Sequence, residues 1–126
     1  MIPPLLSCLI VDDEPLAQEI LIDHVNRIPF LTLTGVAYNV MEAAELIEQI
    51  RPNIILLDIN LPQINGLDWI ETFDLQEIYV IVTTANPNYT HNNTHPNVID
   101  YLPKPIRFEQ FAKAVNRYRE QLLPPY

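Results

Sequence analysis

Sulfur, positive charge and long apolar runs are all scarce in this chain of 126 residues, and each scarcity closes a class of function. A single cysteine, Cys8, rules out an internal disulfide; it lies in the first apolar run, where a small core residue is its expected role. Seven Lys and Arg against sixteen Asp and Glu leave a formal charge of -9, which argues against a nucleic-acid surface, since phosphate binding needs clustered cations. Acidity of this size suits solubility or a site that collects cations. No run of about 18 apolar residues is present to span a membrane. Met1 to Ile10 lacks the basic start of a signal peptide, so a cytoplasmic protein is expected. Asn88-Tyr89-Thr90 and Asn92-Asn93-Thr94 match the glycosylation pattern, which carries no weight without secretion. Repeats, linkers and low-complexity blocks are absent, and the length fits one domain with a single core.

What is present is an alternation of apolar runs with helical patterns. Ile54 to Leu57 is continuously aliphatic, follows Pro52-Asn53 and ends at Asp58, with Pro62, Asn65 and Gly66 beyond it. That is the pattern of a central parallel strand covered on both faces. Leu5 to Val11 is a second such run, delivering Asp12, Asp13 and Glu14 at its carboxyl end. Pro15 suits the first position of a helix, and Leu16, Ile20, Leu21, Val25 and Ile28 recur at helical spacing toward a core until Pro29. Leu31 to Ala37 alternates like a strand with one wetter side, near a sheet edge. A helix from Met41 to Ile50 carries Met41, Ala44, Leu46, Ile47 and Ile50 inward. Leu67 to Phe73 reads as a short helix, Ile78 to Val82 as a strand running into Thr83 and Thr84, and Val98 to Leu102 as the last strand. Arg107 to Leu122 closes the chain with Phe108, Phe111, Val115, Tyr118 and Leu122 on one stripe. Five strands alternating with helices predict an α/β doubly wound parallel sheet.

Residues 86–97 break the rhythm. Topology asks for a crossover helix there, but Asn, Pro, Thr and His dominate, so a short or irregular segment is expected. His91 and His95 are spaced i, i+4 as a metal pair would be, yet without a nearby Cys or acid they read better as solvated histidines.

The chemistry lies at the strand ends, the edge of an open α/β sheet where ligands gather. Asp58 alone would pass for a turn or helix-capping residue. Given the flavodoxin-like order 2-1-3-4-5, taken by analogy with that fold, the first and third strands are neighbours at the switch point. Asp12, Asp13 and Asp58 then come together. Three carboxylates so close need a cation, and a hard ion with oxygen ligands that retains water, Mg²⁺, fits better than a Ca²⁺ cage or zinc. Thr84 from the fourth strand and Lys104 from the fifth add a hydroxyl and an ammonium, both suited to oxygens of a phosphoryl group on Asp58. Aspartyl-phosphates are an established covalent strategy.

These residues carry a resemblance to a known family. Leu-Ile-Val-Asp12-Asp13-Glu14, Leu57-Asp58-Ile-Asn-Leu-Pro62 with Gly66, Thr84-Ala85 and Asp100-Tyr101-Leu-Pro-Lys104-Pro105 together resemble a receiver domain of two-component response regulators, over essentially the whole chain. The resemblance implies that Asp58 accepts phosphate from a sensor histidine kinase. It implies that Asp13, Asp58 and the backbone carbonyl of Asn60 bind Mg²⁺ directly, with Asp12 acting through water. Thr84 and Tyr101 would form the switch pair, and Lys104-Pro105 matches the family's Lys followed by a cis-Pro. Asp13-Glu14-Pro15-Leu16-Ala17 and the Asp100-Tyr101-Leu core resemble, more narrowly, receivers attached to LytTR DNA-binding domains of the LytR/AlgR type. On that reading residues 1–123 are the receiver and 124–126 a tail or the start of a linker to an output domain outside this sequence. A homodimer on phosphorylation would follow. The irregular 86–97 stretch, where the family has an apolar-anchored helix, is expected to be ordered or shifted by phosphorylation.

Two other classes compete. A metal-dependent hydrolase using Asp58 would need a positioned general base, and no histidine stands among the site residues, so an enzyme is not expected. A stand-alone, phosphate-independent interaction module would be expected to lack Asp13, Asp58 or Lys104, and all three are present.

Overall fold

The computed structural model describes residues 5–86 and 95–122. Its five strands are β1 (Leu6–Val11), β2 (Leu31–Ala37), β3 (Ile54–Asp58), β4 (Tyr79–Thr84) and β5 (Val98–Pro103), and they form one parallel sheet in the order β2-β1-β3-β4-β5. Helices α1 (Pro15–Asn26), α2 (Val40–Ile50), α3 (Gly66–Ile70) and α4 (Phe108–Leu122) cover it. The expected doubly wound architecture and strand order are therefore present. Of the irregular 86–97 stretch, residues 87–94, with His91, lie outside the described residues, as does the tail at 124–126. His95 is described and is half-buried rather than solvated, its Nδ1 accepting the Asn97 N–H at 3.1 Å.

The continuous aliphatic runs are continuous because both faces of each central strand are covered. In β1, Leu6, Cys8 and Ile10 join the core under α1 and α4, while Leu9 and Val11 join the one under α2 and α3. In β3, Ile54 and Leu56 divide in the same way from Ile55 and Leu57. All four are buried, each contributing about 1.5–3 kcal/mol at the upper limit. Cys8 is fully buried and burial pushes its thiol up to about 12, so it stays protonated and serves as packing.

Capping matches the local sequence. Pro15 occupies the first turn of α1. Asn39 accepts from the Glu42 N–H at 2.9 Å while Glu42 accepts from the Tyr38 N–H at 2.7 Å, fixing the start of α2. Asn65 accepts from the Leu67 N–H at 2.8 Å to start α3, which begins at Gly66 and ends at Ile70, earlier than the apolar pattern through Phe73 implied. There the Thr72 N–H and hydroxyl both donate to the Trp69 carbonyl and close the helix.

Two inward assignments are corrected. Leu16 is 70% exposed and Met41 is 71% exposed. The buried stripe of α1 runs through Gln18, Leu21, His24 and Val25, and that of α2 through Ala43 and Ile47. Leu16 and Met41 each precede the first buried residue by two positions, about 200° around a helix, and so face away from the sheet. Hydrophobicity alone placed them inward, whereas the true stripe of α1 includes two polar residues.

Candidate functional site

Three strand ends repeat one local device. Asp12, just past β1, accepts the Glu14 N–H on Oδ1 at 2.9 Å; Asp58, the last residue of β3, accepts the Asn60 N–H on Oδ1 at 2.9 Å. Thr84, the last residue of β4, accepts the Asn86 N–H on Oγ1 at 3.1 Å. Short polar side chains bonding two residues ahead turn the chain off each strand without another element's help. Each carboxylate thereby commits one oxygen to its own loop. The other oxygen of each faces a common point.

Lys104 occupies that point. Its Nζ lies 2.9 Å from Asp12 Oδ2, 3.1 Å from Asp58 Oδ2 and 2.7 Å from Glu14 Oε1, with the lysine side chain only 12% exposed. The Lys104 N–H donates to the Thr84 carbonyl at 2.7 Å, so backbone pairing to β4 holds the lysine above the sheet edge. The peptide between Lys104 and Pro105 is cis. Asp12 and Asp58 are buried, at 0% and 2% exposure, and burial raises the Asp12 pKa above the usual carboxylate value, with the Asp58 charge adding to it. The Glu14 N–H and the Lys104 ammonium pull the other way. For Lys104 burial works against the charged form, but the hydrogen bond to Glu14 and the close negative charges of Asp12 and Asp58 outweigh it, so the ammonium stays protonated.

Carboxylate oxygens of Asp12, Glu14 and Asp58 all lie within 4.8 Å of one another. Asp12 Oδ2 is buried and meets Lys104 without hydrogen-bond alignment, leaving a desolvated acceptor directed at this space. An all-oxygen set with an under-satisfied buried carboxylate fits a hard divalent cation, Mg²⁺, as receiver domains generally bind. Asp13 is half-buried and outside that trio, whereas Glu14, with a side chain one methylene longer, reaches in from an exposed position. Sequence reasoning named Glu14 among the acids that β1 delivers but did not place it at the lysine. Only the two-residue turn made by Asp12 decides which acid arrives there.

The remaining expected residues also cluster at this edge. Asn60 is exposed and forms an isolated bridge with Asn65, which closes the loop after Asp58. Gly66 belongs to that loop: a Cβ there would stand 2.6 Å from the Asp58 carbonyl oxygen, so only glycine allows the approach. Thr84 is buried, and Tyr101, paired in register with Val82, is half-buried against the core on the α2 and α3 side of the sheet. Gln18 on α1 was not anticipated. It is buried and its amide donates to the Asp12 carbonyl. Beside Lys104 an apolar groove of about 270 Å³ is lined by Leu16, Ala17, Ile20, Ala85, Pro105 and Ile106 with Glu14.

Residues 8–116 match the family described as the response regulator receiver domain. An uncharacterized response regulatory protein of Vibrio cholerae is 34% identical over 118 residues, covering 93% of this chain and 50% of that protein. The transcriptional regulatory protein BtsR of Salmonella typhimurium is 32% identical over 118 residues, covering 93% of this chain and 49% of that protein. The chain thus spans about half the length of the curated relatives it matches. Among solved structures, the N-terminal domain of an uncharacterized protein of Wolinella succinogenes has a TM-score of 0.74 at 27% identity, covering 93% of this chain and 95% of that one. The response regulatory domain of protein mrkE from Klebsiella pneumoniae shares the fold at a TM-score of 0.77 and 21% identity, covering 91% and 96%. With the strand order, the acid edge and the lysine all in place, this chain belongs to the response regulator receiver domain family of two-component systems.

Proposed function

We propose that this chain is a phosphoaccepting receiver that takes a phosphoryl group from a sensor histidine kinase onto Asp58. The observation that carries the reading is the placement of Lys104 Nζ 3.1 Å from Asp58 Oδ2, with Oδ1 already committed to the Asn60 N–H. The Asp58 carboxylate attacks phosphorus of a phosphohistidine, the P–N bond breaks, the imidazole leaves, and an acyl phosphate remains on Asp58. Mg²⁺ would be held by Asp58, Asp13 and the backbone carbonyl of Asn60 with Asp12 acting through water, and it would supply neutralising charge for the phosphoryl oxygens. Lys104 then exchanges its carboxylate contact for a phosphoryl oxygen, as one charge-assisted bond replacing another. The Thr84 hydroxyl, whose oxygen accepts from Asn86, keeps its proton to donate to a second phosphoryl oxygen.

Thr84 and Tyr101 form the switch pair on this reading. Thr84 follows Val82 by two residues on β4 and Tyr101 is the register partner of Val82 on β5, so both sit on one face of the sheet. Movement of Thr84 toward the phosphoryl group opens space that Tyr101 enters from its half-buried position. A LytTR-type DNA-binding output domain beyond residue 123, a cytoplasmic location and a homodimer on phosphorylation complete the proposal. The name of BtsR as a transcriptional regulatory protein of about twice this length supports an output domain that regulates transcription, without specifying its type.

Intact mass after incubation with a small acyl phosphate tests the reading. One phosphoryl adduct that requires Mg²⁺ and is absent from Asp58→Asn is expected; no adduct under any condition would identify a phosphate-independent interaction module.

A further inference from the structure

Six polar or charged residues of the described chain are buried: Asp12, Gln18, His24, Asp58, Thr83 and Thr84. Five stand at the carboxyl edge of the sheet or bond directly to it. His24 does not. It sits on α1 at 8% exposure, packed at 5.5 Å against the Phe108 ring and 5.7 Å from the Phe111 ring. Its Nε2 lies 2.7 Å from the carbonyl oxygen of Ile106, 82 residues away in sequence. A carbonyl only accepts, so Nε2 carries the proton. Nδ1 is buried without a hydrogen-bond partner, the exposed Asp23 carboxylate lying 4.0 Å away.

Ile106 is the second residue beyond Lys104. The segment that presents the lysine is thereby tied on two sides: the Lys104 N–H bonds to the Thr84 carbonyl on β4, and the Ile106 carbonyl accepts from His24 on α1. On the same buried stripe of α1, Gln18 bonds to the Asp12 carbonyl. One helix thus fastens both the acid loop and the lysine loop, and its spacing helps set the distance between them. We propose that His24 is a positioning residue for phosphoryl transfer, holding the loop after β5 so that the Lys104 ammonium stands among Asp12, Glu14 and Asp58. The role deepens the receiver reading and rests on it for its link to phosphorylation, while its geometric part is testable alone.

The chain contains two lysines, Lys104 and the exposed Lys113, so amine labelling read by peptide mass provides a direct measure of Lys104 shielding with an internal reference. His24→Phe keeps the ring packing and removes the donor. Lys104 labelling relative to Lys113 is expected to rise about five- to tenfold, the equivalent of one hydrogen bond of ordinary strength. The rate of adduct formation with an acyl phosphate is expected to fall by a similar factor. His24→Gln, whose amide reaches the same carbonyl, is expected to restore both. His24→Asn, polar but too short, gives the same test as His24→Phe if the latter does not fold. Wild-type labelling of Lys104 in a folded His24→Phe or His24→Asn protein would overturn the proposal. Absence of an adduct in wild type, with labelling changed as expected, would instead remove the receiver reading and leave the positioning intact.

Discussion

The two ends of the same parallel sheet solve the problem of terminal polar groups in opposite ways. At the amino end, Asn53 accepts the Ser7 N–H at 2.8 Å and the Ser7 hydroxyl at 3.0 Å, and its own N–H returns to Ser7. Asn97 donates to the carbonyls of Gln76 and Ile78 at 3.0 and 2.7 Å, and its own carbonyl accepts from Val80. These groups are neutral and bond to one another across strands. At the carboxyl end, three carboxylates share one ammonium, and Asp12 Oδ2 and Thr83 Oγ1 are buried without an aligned hydrogen bond. Neutral reciprocal pairing adds to stability, whereas buried charge left under-satisfied is a cost retained for binding. The same backbone topology therefore separates a stabilising end from a reactive one.

Substitutions at the two ends sharpen this contrast. The largest expected effect comes from Gly66→Ala, which forces a methyl against the Asp58 carbonyl oxygen at 2.6 Å and against Ile59 Cα at 3.2 Å. A loss of about 3 kcal/mol is expected from backbone displacement, read as a lowered urea midpoint with unchanged slope. Asn53→Leu at the amino end strands the Ser7 N–H and is expected to cost about 2 kcal/mol by the same measurement, with no effect on adduct formation. Asp12→Asn at the carboxyl end is expected to act with the opposite sign, raising stability of the metal-free protein by roughly 1 kcal/mol while impairing Mg²⁺ binding. A loss on Asp12→Asn equal to that on Asn53→Leu would erase the distinction between the two ends.

The smallest effect is a pH dependence that follows from Asp12. Its folded pKa is raised, so its contribution to stability is complete below the unfolded carboxylate value of 3.8 and is lost as pH rises through the folded one. Lys104 is also raised in the folded protein, so its contribution persists from neutral pH to above its ordinary 10.5 and disappears at higher alkalinity. Chemical denaturation across the acid range, compared between wild type and Asp12→Asn, is expected to differ by a slope that flattens in the variant. Parallel curves would remove burial of Asp12 as the source of the cost.

Much of the carboxyl edge was legible because strand ends are marked in sequence. Aliphatic runs stop at Asp12, at Asp58 and near Thr84, and parallel topology brings such stops to one side whatever the intervening helices do. Lys104 was legible only in company, since one lysine between two prolines carries no signal alone. The choice of Glu14 over Asp13 at the lysine was not legible, because it depends on a turn of two residues and on one methylene of reach. Nor were Gln18 and His24. A polar residue on the inner stripe of a helix looks like an error of phase until its partner is known, here carbonyls at positions 12 and 106. The same blindness turned Leu16 and Met41 inward, since apolar character identifies a candidate face without fixing its rotation.

The central claim, that Asp58 and no other carboxylate of this edge carries the phosphoryl group, is tested most directly by reductive trapping. Treatment of the Mg²⁺-dependent adduct with borohydride converts an aspartyl-phosphate to homoserine, and peptide mass spectrometry then locates it. Homoserine at position 58, with Asp12, Asp13 and Glu14 unaltered, is the predicted result. Conversion at any of those three positions, or an adduct that survives without conversion at 58, would contradict the account.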